Sequence, residues 1–189
     1  AIRFLGTTKN PKFTDIYLQA LHDSSDRVIS AAAVALGKTK NPKAFEELSE
    51  LVSKPSMKSQ SLLSALAGLK ELGDKRGYKI AYNALADLKL PRWRLPTPPV
   101  WDFRITAAET IVSLGKASAL YPMIMSRFNQ SMKENDLNGI FNNLLLISIL
   151  GDKRGQEAFD LLKVKFKSDE NAMTAINQYE TQFRNAIKK

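Results

Sequence analysis

The hexapeptide Leu-Gly-Asp-Lys-Arg-Gly stands at Leu72–Gly77 and again, unchanged, at Leu150–Gly155. Glycines beside Lys and Arg are the residue types from which a loop builds a phosphate cradle: bare backbone N–H groups and nearby positive charge. A phosphate-binding loop, however, sets its glycines between a strand and a helix and usually closes on a Lys-Ser or Lys-Thr pair. Both hexapeptides instead follow apolar residues at helical spacing, and their Asp would repel an anion. The better reading is one corner of a fold visited twice. In it Asp74 and Asp152 cap the helix that follows, while Lys75, Arg76, Lys153 and Arg154 are solvated residues of its first turn.

The remaining inventory offers little for catalysis. His22 is the single histidine, so no two-histidine metal site forms within one chain; it reads as a helix-end residue. Asp23–Asp26 (DSSD) presents alternating oxygens but lacks the frame and distal Glu of a calcium loop, and is read as helix capping. There is no cysteine, which excludes disulfides, thiol nucleophiles and cysteine-ligated metal. No carboxylate pair is singled out. The candidate partner-binding residues are Arg92, Trp93, Arg94 and Trp101, which gather in LKLPRWRLPTPPVWDFR, Leu88–Arg104. Pro91, Pro96, Pro98 and Pro99 forbid a helix there, giving a Pro/Trp-rich insertion loop over residues 89–100. Two readings stand for it. The rings pack down and hold a long connection in place, or the Trp and Arg side chains form a contact surface.

The elements that position these residues follow from a recurrence. Leu-Gly pairs fall at Leu5–Gly6, Leu36–Gly37, Leu72–Gly73, Leu114–Gly115 and Leu150–Gly151, at intervals of 31, 36, 42 and 36 residues. TKNPK at Thr8–Lys12 returns at Thr39–Lys43, also after 31. Such periods belong to stacked helical hairpins. Val28, Ala31, Ala32, Ala35 and Leu36 share a helical stripe, as do Leu62, Leu63, Leu66, Leu69 and Leu72. Each Leu-Gly glycine is expected to hold the left-handed stop of its helix. After it Asn10 and Asn41 cap new helices, with Pro11 and Pro42 at their first positions. Ala31, Ala32, Ala65, Ala67, Ala107 and Ala108 would let helices approach closely. No stretch alternates as a strand does.

SSDRVISAAAVALG at Ser24–Gly37 and WDFRITAAETIVSLG at Trp101–Gly115 resemble the second helix of HEAT-type repeats, and LGDKRGYKIAYNAL and LGDKRGQEAFDLL resemble the corner and first helix of the next unit. The junction after Gly115, KASALYP, departs from the Asp-led corner and is expected to bend differently. The resemblance covers essentially the whole chain and implies an all-α fold: an α-solenoid of about five antiparallel helix pairs in a right-handed superhelix. The order of irregular repeats, Pro/Trp insertion, LGDKRGQEAFDLLKVKF and a final YETQFRNAIKK is similar to the C-terminal helical-repeat region of bacterial M1-family zinc aminopeptidases. That resemblance implies a zinc-bearing catalytic domain upstream, with its HExxH helix and Gly-x-Met-Glu-Asn motif. Neither motif occurs here, and SMKEND at Ser131–Asp136 matches the second only superficially. Zinc would belong to that domain, and this chain would need no cofactor.

Length and charge set the outer bounds. The chain's 189 residues suit one HEAT-like repeat domain. Its opening AIRFLG reads like the tail of a helix, hence the expectation of a C-terminal fragment of a longer protein. The strongly apolar stretch Leu144–Leu150, broken by Ser148, is too short to cross a bilayer, so no membrane partner is expected. The compartment is open: cytoplasmic by default, exported if a leader lies upstream. Lys and Arg number 28 against 19 Asp and Glu, a net charge of +9. That excess makes a nucleic-acid-binding HEAT-like protein, using the basic surface and the Trp/Arg loop, the rival reading. Against it, the basic residues are scattered along the sequence with no dense run; KVKFK at Lys163–Lys167 would spread around a helix. The favoured expectation is a non-catalytic scaffold whose partner is an upstream domain, a protein or a peptide. A stand-alone protein–protein scaffold is the other alternative.

Overall fold

The computed structural model describes residues 1–53, 60–86 and 103–188. Every regular element among them is helical: α1 (Ile2–Leu5), α2 (Thr14–Ala20), α3 (Asp26–Lys38), α4 (Ala44–Val52), α5 (Gln60–Leu72), α6 (Gly77–Ala86), α7 (Phe103–Ser113), α8 (Ala117–Glu134), α9 (Leu137–Leu150), α10 (Gln156–Lys165) and α11 (Glu170–Ile187). The all-α expectation holds. The chain divides into two compact units, with the change at Gly115–Lys116.

In the first unit the helices pair in sequence, α2 with α3, α4 with α5, α6 with α7. The second members also lie against one another in turn, α1 on α3, α3 on α5 and α5 on α7. This is solenoid stacking: each layer covers the apolar face its neighbour cannot bury alone. The α3–α5 seam is built from small residues. Ala32, Ala33, Ala35 and Gly37 are buried on one side, Ser61, Ser64, Ala65 and Gly68 on the other. A methyl group at Gly37 would collide with the carbonyl oxygen of Gly68, and one at Gly68 would stand 2.7 Å from the carbonyl oxygen of Ala33. Backbone therefore meets backbone, and Leu36, Leu48 and Leu69 belong to the buried cluster around it.

In the second unit α8 pairs with α9 and α10 with α11, while α9 packs on α11. Phe128, Leu144, Phe159, Leu162, Ile176 and Phe183 are buried, the Phe159 and Phe183 rings 5.0 Å apart. Among the described residues the count of five helix pairs matches the expectation, with α1 standing as one further turn before them.

The glycine stops need correction. Gly73, Gly115 and Gly151 adopt the left-handed conformation with φ of 72°, 70° and 59°. Gly6 does not, at φ −63°, and Gly37 lies inside α3. There the left-handed residues are Lys9 and Lys40, φ 52° and 56°. At these two corners the left-handed stop goes with the capping residue and not with the Leu-Gly pair. In four corners the left-handed residue directly precedes the Asn or Asp that opens the next turn: Lys9–Asn10, Lys40–Asn41, Gly73–Asp74 and Gly151–Asp152. Asn10 accepts from the Lys12 N–H at 3.0 Å, Asn41 from Lys43 at 2.9 Å, Asp74 from Arg76 at 2.9 Å and Asp152 from Arg154 at 3.1 Å. Asn10 thus caps a short 3-10 helix, Pro11–Phe13, with Pro11 at its first position as expected, and this turn leads into α2 at Thr14; Pro42 instead lies in a turn ahead of α4, which starts at Ala44. DSSD is corrected in the same way. Ser25 is the N-cap residue of α3 but makes no side-chain cap bond, and Asp23 accepts from the Ser25 N–H at 2.8 Å. After Gly115 there is no capped corner: Lys116 is the N-cap residue of α8 and makes no side-chain cap bond.

Candidate interaction surfaces

The duplicated hexapeptide builds the same joint twice. In the first copy the Arg76 guanidinium folds back on Asp74, with Nη2 2.7 Å from Oδ2 and Nε 3.2 Å from Oδ1. Its Nη1 reaches Glu46 at 2.9 Å and its plane lies over the Phe45 ring, 3.9 Å from the centroid. In the second copy Arg154 holds Asp152 at 2.7 and 2.9 Å and covers the Tyr121 ring at 4.4 Å. Tyr121 in turn donates its hydroxyl to the Arg154 carbonyl at 2.9 Å. Each time an arginine ties its own corner to an aromatic ring near the start of the preceding pair's first helix. Planar stacking plus a fork of donors is a task for Arg and not for Lys. Arg76 and Arg154 are thus not merely solvated first-turn residues.

The electrostatics fit a closed joint. Hydrogen bonds from the Arg154 side chain hold the Asp152 carboxyl below its ordinary range against the opposing effect of burial. Asp74 is lowered for the same reason by Arg76, and Glu46 by its own backbone N–H and by Arg76. A phosphate arriving at either corner would meet carboxylates already bound to the guanidinium. The corner is a structural turn.

Arg154 does one thing more. Pro122 lies inside α8 and has no N–H for the carbonyl one turn back, that of Ser118. Arg154 Nη2 donates to that carbonyl at 3.3 Å. Beside this repair a shallow groove of about 510 Å³ runs along α8, with Met125, Asn129 and Lys133 on its wall. On α10, Leu161 and Val164 stand exposed between Asp160 and Lys165.

Sequence reasoning missed Glu180. It is 7% exposed in α11, with Lys163 at 2.7 Å, Gln156 at 3.0 Å and Arg184 at 3.2 Å. Burial pushes its carboxyl up, yet the bonds from Lys163, Gln156 and Arg184 and the charge of Lys163 outweigh that and leave it below the usual value. One signal pointed here: Lys163 lies in the alternating KVKFK, and an inward lysine needs a carboxylate.

Arg92, Trp93, Arg94 and Trp101 lie outside the described residues, as does the insertion loop 89–100. His22 is exposed just past α2, its backbone N–H donating to the Gln19 carbonyl at 3.1 Å. Among the described residues no three His, Asp or Glu side chains group as a metal site would need, and no helix is long and apolar enough to cross a membrane. Residues 1–67, α1 to the middle of α5, match the family model of HEAT repeats. The match supports a HEAT-type helical repeat over that stretch, where both TKNPK corners lie. No curated protein sequence matches the chain.

Proposed function

We propose that the chain is a non-catalytic HEAT-type scaffold that works by presenting surfaces to another domain or protein. The observation that carries this reading is the repeated joint. The residues best equipped for chemistry, Arg76 with Asp74 and Glu46 and Arg154 with Asp152, are bound to one another in equivalent corners of a repeat stack. A stack whose charged groups knit its layers leaves its outer faces for recognition. Incubating the purified chain with zinc and aminoacyl anilides tests this: no turnover is expected, and turnover would overturn it.

The finer reading places the chain as the C-terminal region of an M1-like zinc aminopeptidase, removing N-terminal residues from peptides through a domain this sequence does not contain. The similarity of LGDKRGQEAFDLLKVKF and YETQFRNAIKK supports it. Reading the gene upstream of Ala1 decides: an HExxH with a downstream Glu supports the aminopeptidase, and an upstream frame without them ends that reading while leaving the scaffold. Trp93→Ala with Arg94→Ala in the full protein should alter affinity or activity without unfolding. Unchanged function would make the insertion loop purely structural.

A further inference from the structure

The lysines that look scattered in the sequence gather in the fold. Three corners of the first unit, residues 7–12, 37–43 and 73–77, follow one another along one edge. Gly6 abuts Ala35 near the end of α3, with their Cβ positions 2.8 Å apart were Gly6 an alanine. Lys40 of the second corner donates its ammonium to the Glu71 and Leu72 carbonyls that lead into the third. Arg76 of the third reaches back to Glu46 at the start of α4. These corners carry Lys9, Lys12, Lys38, Lys40, Lys43, Lys75 and Arg76, and Asp74 is their single acid. Arg76 and Lys40 are occupied within the fold. Lys9, Lys12, Lys43 and Lys75 are exposed and make no ion pair with the described residues. Behind them Asp15 stands in the first turn of α2 and Glu46 and Glu47 in that of α4, with Glu46 held by Arg76.

We propose that this edge docks an extended acidic polypeptide segment with a carboxylate at about every third residue. The proposal rests on the scaffold reading and names its partner. Stacked helices repeat at roughly 8–10 Å, and three residues of extended chain cover about 10 Å, so one carboxylate meets each corner. Thr8, Asn10, Thr39 and Asn41 stand between the lysines, the corner residues themselves include no aromatic, and the flanking Phe13 and Phe45 rings pack against the core, which favours polypeptide over nucleic acid. Exposed lysines bind such a segment weakly and in a salt-dependent way, with Kd of roughly 0.1–1 mM at low salt.

The test is amide NMR on the whole chain titrated with the peptide Glu-Gly-Ser-Glu-Gly-Ser-Glu, with the same composition bearing its three Glu adjacent, and with oligothymidylate. The expected result is saturable shifts confined to the three corners, strongest for the spaced peptide and weakened roughly fivefold or more between low and physiological salt. Those shifts should vanish in the Lys12→Glu, Lys43→Glu, Lys75→Glu variant, whose circular dichroism and melting stay unchanged. Tighter binding of oligothymidylate to the same corners would replace the proposal with nucleic-acid recognition. Absence of shifts at millimolar peptide, or shifts elsewhere only, would overturn it. None of these outcomes bears on turnover, which tests the scaffold reading separately.

Discussion

At the scale of single residues, two glycines in the same Leu-Gly context do different work. Gly37 lets two backbones touch, and Gly115 turns the chain in open space with nothing within 4 Å of an added Cβ. Gly37→Ala must push α3 off α5 and should cost about 3 kcal/mol, the upper part of the range for overpacking. Gly115→Ala carries only the left-handed penalty of about 1–2 kcal/mol. Lys9 sits at φ 52° and is exposed, so Lys9→Gly relieves that penalty while raising the entropy of the unfolded chain; it should be neutral to stabilising, by at most about 1 kcal/mol. Urea unfolding of the three variants checks the order, and a Gly37→Ala as mild as Gly115→Ala would contradict the close seam. The Leu-Gly recurrence made the period legible in the sequence. It did not separate a packing glycine from a turning one, because that depends on what lies across the seam. At four corners a capping residue does mark the left-handed position, which precedes Asn10, Asn41, Asp74 and Asp152 whether or not it is glycine; Gly115, followed by the uncapped Lys116, carries no such mark.

The corner is the informative unit at the scale of elements. Capping by Asp74 and Asp152 was readable from their place after a helix stop. The clamp was not, since Phe45 and Tyr121 lie about 30 residues upstream of their arginines and nothing local links them. The second clamp also repairs the proline break in α8. Arg154→Met should lower the melting temperature by removing both the ring contact and the donor to Ser118. In a Pro122→Ala background the same substitution should cost less, because the backbone N–H restored at that position then serves the Ser118 carbonyl. Equal losses in both backgrounds would mean that the 3.3 Å contact contributes nothing to stability. Arg76→Lys should behave like a loss of the clamp and not like a conservative change, for an ammonium lacks the planar fork that holds Asp74 through two nitrogens while covering Phe45 and reaching Glu46.

For the whole molecule, composition announced a basic globular fold and periodicity announced its helical layers. Where charge gathers depends on the stacking of corners and was invisible along the chain. The acid response follows from the lowered carboxylates. A group whose pKa is lower folded than unfolded adds stability above its unfolded value, and that stability drains as pH falls through the folded value. Asp74, Asp152 and Glu180 all have this sign. Stability should therefore hold through neutrality and fall below the ordinary carboxylate range. Glu180→Gln should cost roughly 1.5–3 kcal/mol at neutral pH and flatten part of the acid loss. A variant with an unchanged acid limb would deny Glu180 that role.

The central claim is that the duplicated Lys-Arg corners join layers and bind no phosphate. Nitrogen-15 NMR of the Arg76 and Arg154 side-chain Nε–Hε groups reads this directly during a titration with inorganic phosphate at constant ionic strength. Held by Asp74 and Asp152, both signals should be slow to exchange with water and stay in place up to tens of millimolar phosphate. Saturable movement of both signals together, at low phosphate, would show the two guanidiniums to be phosphate sites and contradict the account.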